Sequence, residues 1–268
     1  MLTPNRFFLG PAIMFQPMAL HSTLLVYAAV AILGLCIGSF LNVCVFRIPL
    51  EKSIVHPPSA CPACGNAIRF YDNIPVLSYL LLRGRCRHCA APISPRYPSV
   101  ELASGLTAAA TYAAFGPTVE TLVYFVFIST LWVVTLIDID HRIIPDTISL
   151  PGILVFFLAS FLLPGMTLKD SLLGILVGGG SLYAVAWAYR AVKKADGMGG
   201  GDIKLLAMIG ALIGWKGVLF TLFASSALGT IVGVGIMIAR GRSMKLAVPF
   251  GPFLSAGAAA YVFFGPRL

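Results

Sequence analysis

The sequence predicts an all-α polytopic membrane protein with about eight transmembrane helices. Three observations predict it. Hydrophobic residues make up 58% of the 268 and charged residues 11%, where soluble domains run at about 45–50% and about 25%. Mean hydropathy is +0.91. The few charges leave between them uncharged stretches close to the roughly 20 residues that one bilayer crossing takes. A soluble globule with so little charge has no polar exterior, a disordered chain carries more charge, and six Cys in this length do not make a disulfide scaffold.

Residues 7–46 contain no Lys, Arg, Asp or Glu, and Thr23 to Phe46 is the first expected span. Residues 1–22 have no compact apolar run ending in a small-residue cleavage site. They are expected to be an extracytoplasmic segment ahead of a retained first helix at 23–46. Further uncharged runs follow at 102–119, 121–137, 147–168, 171–189, 205–215, 217–239 and 246–266. The run 205–215 is short. It crosses if Lys204 and Lys216 snorkel to opposite interfaces; otherwise seven spans remain.

Basic residues set the expected orientation. Arg47, Lys52, Arg69, Arg83, Arg85, Arg87 and Arg96 follow the first span. Arg142, then Arg190, Lys193, Lys194 and Lys204, then Arg240, Arg242 and Lys245 fall on the same side, whereas Arg6, Lys169, Lys216 and Arg267 fall on the other. The positive-inside rule then places residues 47–97 in the cytoplasm and both termini outside. The net charge of +9 is thereby read as cytoplasmic loops, with no nucleic-acid partner.

The segment 47–97 is too small for a generous core and needs a staple. It holds CPAC at 61–64 and CRHC at 86–89, with 21 residues between the pairs. Two such pairs are close to the pattern that closes a tetrahedral zinc site, and a cytoplasmic position argues against two disulfides. Cys61, Cys64, Cys86 and Cys89 are therefore expected to bind one structural zinc. Four thiolates leave no open position for catalysis, and His88 is not needed as a ligand. Cys36 and Cys44 read as small apolar residues of the first span. Residues 98–268 form the remaining seven-helix membrane core.

Only ten residues are acidic. Three lie in IDIDHRIIPD at 137–146, where Asp138 ends the third span. Two more lie in ADGMGGGDIKLL at 195–206, where Asp202 opens the sixth. Carboxylates at the membrane are costly and mark function, and both clusters fall on the predicted cytoplasmic side. Two apposed carboxylates can share a proton, one acting as base on a water and the other as acid on the leaving group. The glycines at 199–201 would allow a peptide to lie close. The plainer readings are a helix cap for Asp202, interfacial loop positions for Asp140 and Asp146, with Asp146 capping the fourth span, and a solvated loop for Asp196. Asp138, at a helix C-terminus, has the wrong sign for the helix dipole.

These motifs resemble the type IV prepilin leader peptidases, which also serve type II secretion. GSFLNVCVFRIP at 38–49 is similar to that family's first-span signature, and residues 61–102 are similar to its cytoplasmic domain. The aspartate seven positions before Pro145 matches the family's first catalytic aspartate, which is Asp138. The GGGD at 199–202 matches its Gly-x-Gly-Asp motif, which points to Asp202. The resemblance implies a multi-pass enzyme of the bacterial inner membrane, surrounded by lipid, with its aspartates facing the cytoplasm. Its substrates would be prepilins and pseudopilins, cut after the Gly that ends a short basic leader. It further implies methylation of the new N-terminal amine with S-adenosylmethionine. No GxGxxG loop marks a site for that cosubstrate; Glu101, Arg96, Asp72 and Asn73 are candidates by composition only, each equally suited to a structural role. Three other readings are a general intramembrane aspartic protease, a metal transporter or sensor, and a non-catalytic membrane scaffold, which leaves the membrane-end aspartates unexplained. A transporter would need polar residues running through the spans, and here the acids concentrate at one face.

Overall fold

The structure is a computed structural model and describes residues 16–194, 199–240 and 249–265. Arg6, Asp196, Arg242, Lys245 and Arg267 lie outside the described residues. Among the described residues eight α-helices follow one another: α1 (Gln16–Arg47), α2 (Leu77–Leu81), α3 (Arg96–Phe115), α4 (Val119–His141), α5 (Asp146–Ser160), α6 (Leu168–Lys193), α7 (Gly200–Arg240) and α8 (Gly251–Phe264). Among the described residues there is no strand, only the isolated bridges Ala60–Ala67 and Arg85–Pro92.

Among the described residues four segments are long and apolar enough to cross a membrane: Thr23–Leu50, Val119–His141, Leu168–Lys193 and Gly200–Ala239. Asp146–Ser160 and Gly251–Phe264 are apolar but shorter. The boundary expected at Lys216 lies instead at Gly214. At 41 residues a continuous α7 would measure about 60 Å, near twice the hydrocarbon thickness. Gly214 breaks it at φ 70°, ψ 177°, a backbone conformation open to glycine. A Cβ on Gly210 would lie 2.9 Å from Val218 Cγ2, although eight residues of unbroken helix rise about 12 Å. The chain therefore folds back at Gly214, and residues 200–213 and 215–240 are two helical arms.

Glycines bring the helices together. A Cβ on Gly174 of α6 would lie 2.1 Å from the Gly210 carbonyl oxygen of α7, and one on Gly38 of α1 would lie 2.7 Å from Glu101 Cα of α3. Lipid supplies no hydrophobic force between helices, so such small-residue seams are where backbones pack closely. One apolar core gathers Phe127 and Leu131 of α4, Phe156 of α5, Leu205, Met208 and Leu212 of α7 and Leu254 of α8. A second joins α1, α3 and α4 through Leu41, Val45, Val100 and Ile137. Ile137 immediately precedes Asp138, so the end of α4 is held by both helix groups.

Candidate active site and cysteine cluster

Asp138 sits in the last turn of α4, 5% exposed. The helix ends four residues on, where Arg142 enters the left-handed region at φ 56° and its N–H donates to the Asp138 carbonyl at 2.9 Å. Asp202 stands in the first turn of α7. Its Oδ1 is buried and has no hydrogen-bond partner among the described residues, so that oxygen makes no cap there. The two carboxylates, 64 positions apart in the chain, lie within electrostatic reach of each other.

Two glycines close this site. A Cβ on Gly201 would come 2.8 Å from Ile144 Cβ, whereas Gly199 and Gly200 face open space. Of the three glycines expected to permit a close approach, only Gly201 makes one. The second is Gly251, the first residue of α8. Its N–H donates to Asp138 Oδ2 at 3.0 Å in a buried bond. A Cβ there would lie 2.6 Å from the same oxygen and 3.3 Å from Ile144 Cδ1. Gly251 escaped the sequence reading; a glycine between Phe250 and Pro252 at the start of the last apolar run was the available signal.

The neighbouring acids differ from this pair. Asp140 is gripped by Arg96 Nη1 at 2.6 Å, and Arg96 Nη2 also donates to the Leu136 carbonyl at 3.3 Å. Asp146 pairs with Lys204 at 2.7 Å and makes no side-chain cap on α5, contrary to the capping role expected of it. Asp138 and Asp202 have no basic partner among the described residues. The ion pairs tie the ends of α4 and α5 to α3 and α7.

The cysteines converge. Single Sγ atoms of Cys61, Cys64, Cys86 and Cys89 lie within 4.8 Å of one another, and Cys61 and Cys89 are 3.8 Å apart. A tetrahedral ion with metal–sulfur bonds of about 2.3 Å requires sulfur separations of about 3.8 Å, so this cluster could hold a zinc-sized ion. Each pair builds the same turn. Gly65 N–H bonds the Cys61 carbonyl at 2.8 Å and Ala90 N–H the Cys86 carbonyl at 2.9 Å, with Gly65 and Ala90 both at positive φ. Backbone N–H groups of Cys64 and Ala63 hold the Cys61 thiol below its ordinary range, and that of Asn66 does the same for Cys64. The Ala91 N–H favours the Cys89 thiolate, but desolvation and the other thiols outweigh it and push Cys89 up to about 11. Four thiolates together call for a dication. Beside the cluster, the Arg87 guanidinium chelates Asp72 at 2.6 Å and holds its carboxyl below the usual range.

Comparison with known proteins accounts for both halves. The model of the bacterial peptidase A24 N-terminal domain matches residues 32–115, and that of the type IV leader peptidase family matches 125–234. A prepilin leader peptidase/N-methyltransferase of Burkholderia pseudomallei (strain 1026b) is 36% identical over 300 residues, covering 98% of this chain and 96% of its own. The chain belongs to the type IV leader peptidase family. Relatives of the same name from Pseudomonas putida and Pseudomonas aeruginosa are 39% and 38% identical, over 88% and 84% of this chain and 90% and 85% of theirs. No solved structure matches. As a leader peptidase the protein is an enzyme of a protease family, and its apolar helices make it a membrane protein. The four cysteines fall within the N-terminal match and both unpaired aspartates within the peptidase match; Gly251 lies beyond either.

Proposed function

We propose that this protein is an aspartic endopeptidase of the bacterial inner membrane that cleaves prepilin and pseudopilin leaders after glycine at the cytoplasmic face and then methylates the new N-terminal amine. Asp138 and Asp202 carry this reading: they are carboxylates from distant parts of the chain, without a basic partner among the described residues, brought within electrostatic reach at the ends of α4 and α7. One takes a proton from water as its oxygen attacks the glycine carbonyl carbon. The other gives a proton to the leaving nitrogen, so the leader departs as a carboxylate and the mature chain as an amine. The Gly251 N–H fixes the Asp138 carboxylate without consuming both oxygens.

Eight crossings fit this scheme, with residues 200–213 and 215–240 as separate spans and both termini outside. Residues 1–22 are then extracytoplasmic, 23–46 the first span, 47–97 a cytoplasmic domain and 98–268 the membrane core. Zinc on Cys61, Cys64, Cys86 and Cys89 staples that domain. S-adenosylmethionine supplies an electrophilic methyl group on a positively charged sulfur. The partners are pilin-type substrates and lipid, with no nucleic acid. Purified protein in detergent should shorten a prepilin by its leader in either condition, and add one methyl group only with S-adenosylmethionine present, as read by mass spectrometry of the product's N-terminus. An intact prepilin after incubation would refute the proposal.

A further inference from the structure

A cavity of about 630 Å³ opens between the end of α1, the start of α3 and the cysteine domain, in the range typical of cofactor sites. Glu101 of α3 lines it and is 8% exposed. Its Oε2 accepts the Val76 N–H at 2.7 Å, and the Ser39 hydroxyl also reaches the carboxylate. Among the described residues no cationic side chain pairs with it. A buried carboxylate without a counter-ion is costly, which suits a positively charged occupant.

The surrounding backbone is shaped around this group. Val76 has φ 61°, ψ −47°, a rare region for a β-branched residue, and the Leu77 N–H closes a tight turn onto the Pro75 carbonyl at 2.6 Å. Strain of this kind gathers at ligand-holding sites; here it turns the Val76 N–H onto Glu101. Of the other polar candidates in this domain, Asp72 is taken by Arg87 and Arg96 by Asp140. Asn73 and Glu101 remain on the cavity wall, with Tyr79, Tyr97 and Val43 as flat or apolar lining. Tyr97 follows Arg96, which holds Asp140 two positions past Asp138, so the start of α3 carries both a wall of the cavity and an ion pair to the end of α4.

We infer that this cavity binds the sulfonium nucleoside that donates the methyl group, with the Glu101 carboxylate facing its positive sulfur and the aromatic and apolar walls receiving its base. The inference rests on the methyl-transfer half of the proposed function. S-adenosylmethionine carries a cationic sulfur and S-adenosylhomocysteine a neutral one, so the pair isolates the role of charge.

The test titrates both compounds calorimetrically into full-length protein in detergent. Glu101→Gln should weaken S-adenosylmethionine binding about tenfold or more and leave S-adenosylhomocysteine within about twofold of wild type. Val43→Trp, which fills the cavity from α1, should weaken both. Equal losses for the two compounds in Glu101→Gln would make Glu101 a packing residue and overturn the assignment. Unchanged affinity in both variants, from a wild type that does methylate prepilin, would place the donor elsewhere and leave the proposed function standing. Normal binding of both compounds with weakened prepilin binding would assign Glu101 to the basic leader instead. A wild type that neither binds nor methylates would remove both.

Discussion

At the residue scale, four aspartates near the ends of α4, α5 and α7 divide by their partners. Asp140 and Asp146 hold Arg96 and Lys204; among the described residues Asp138 and Asp202 hold no base. Asn keeps the volume of Asp but exchanges no proton, so Asp138→Asn and Asp202→Asn should each lower leader cleavage by about 10²–10⁴-fold or more while the protein still inserts. The double variant should be scarcely worse, because groups that act together are not additive. Asp146→Asn loses only an exposed ion pair, worth little, and should keep most of its cleavage rate. Rates on a purified prepilin check all four proteins; near-normal cleavage by either single variant would end the assignment. Gly251→Ala should also fall steeply in cleavage at normal expression, since its Cβ would displace the Asp138 carboxylate by its contact at 2.6 Å. A fully active Gly251→Ala protein would show that this carboxylate tolerates movement.

At the element scale, the cysteine domain has two short 3₁₀ turns and one five-residue helix as its helical content, so metal is expected to do what a core does elsewhere. Purified protein should contain about one zinc per chain. Replacing Cys61 and Cys64 together should remove it and expose residues 47–97 to protease; retained zinc in that variant would reject the ligand set. The seam between α6 and α7 gives a separate prediction. Gly174→Ala places a methyl 2.1 Å from the Gly210 carbonyl oxygen, whereas Gly180 on the same helix faces open space. Gly174→Ala should cost about 1–3 kcal/mol by overpacking, and Gly180→Ala should be neutral or stabilising by up to about 1 kcal/mol. Thermal unfolding in detergent distinguishes them, and equal midpoints would contradict the seam.

At the scale of the whole molecule, orientation is the open physical question, and charge answers it in advance. The basic residues placed after the first span predict that residues 47–97 face the cytoplasm. A membrane-impermeant thiol reagent should leave this segment unlabelled in intact cells, and a reporter active only outside, fused near Pro75, should be silent. An active reporter would invert the protein and reopen the disulfide reading of its four cysteines. The same orientation puts the carboxylate pair, the cysteine cluster and the cavity at one face, because α3 joins them through Arg96 and Glu101.

Composition and local spacing by themselves determined the membrane class, the four-cysteine cluster and the two acidic segments, because each depends on solvent preference or on residues close in the chain. Charge counting located each long helix but set many of its ends several residues off, as with 102–119 for Arg96–Phe115 and 147–168 for Asp146–Ser160, and it put the break in the last long segment at Lys216. Gly214 makes that break by its backbone torsion, a property hydropathy does not register. Only the tertiary structure decided which acids are paired. Arg96 reaches Asp140 across 44 positions, Lys204 reaches Asp146 across 58, and the Gly251 N–H reaches Asp138 across 113. A carboxylate's role follows from its neighbours' charges and donors, and at such separations packing, rather than spacing along the chain, supplies those neighbours.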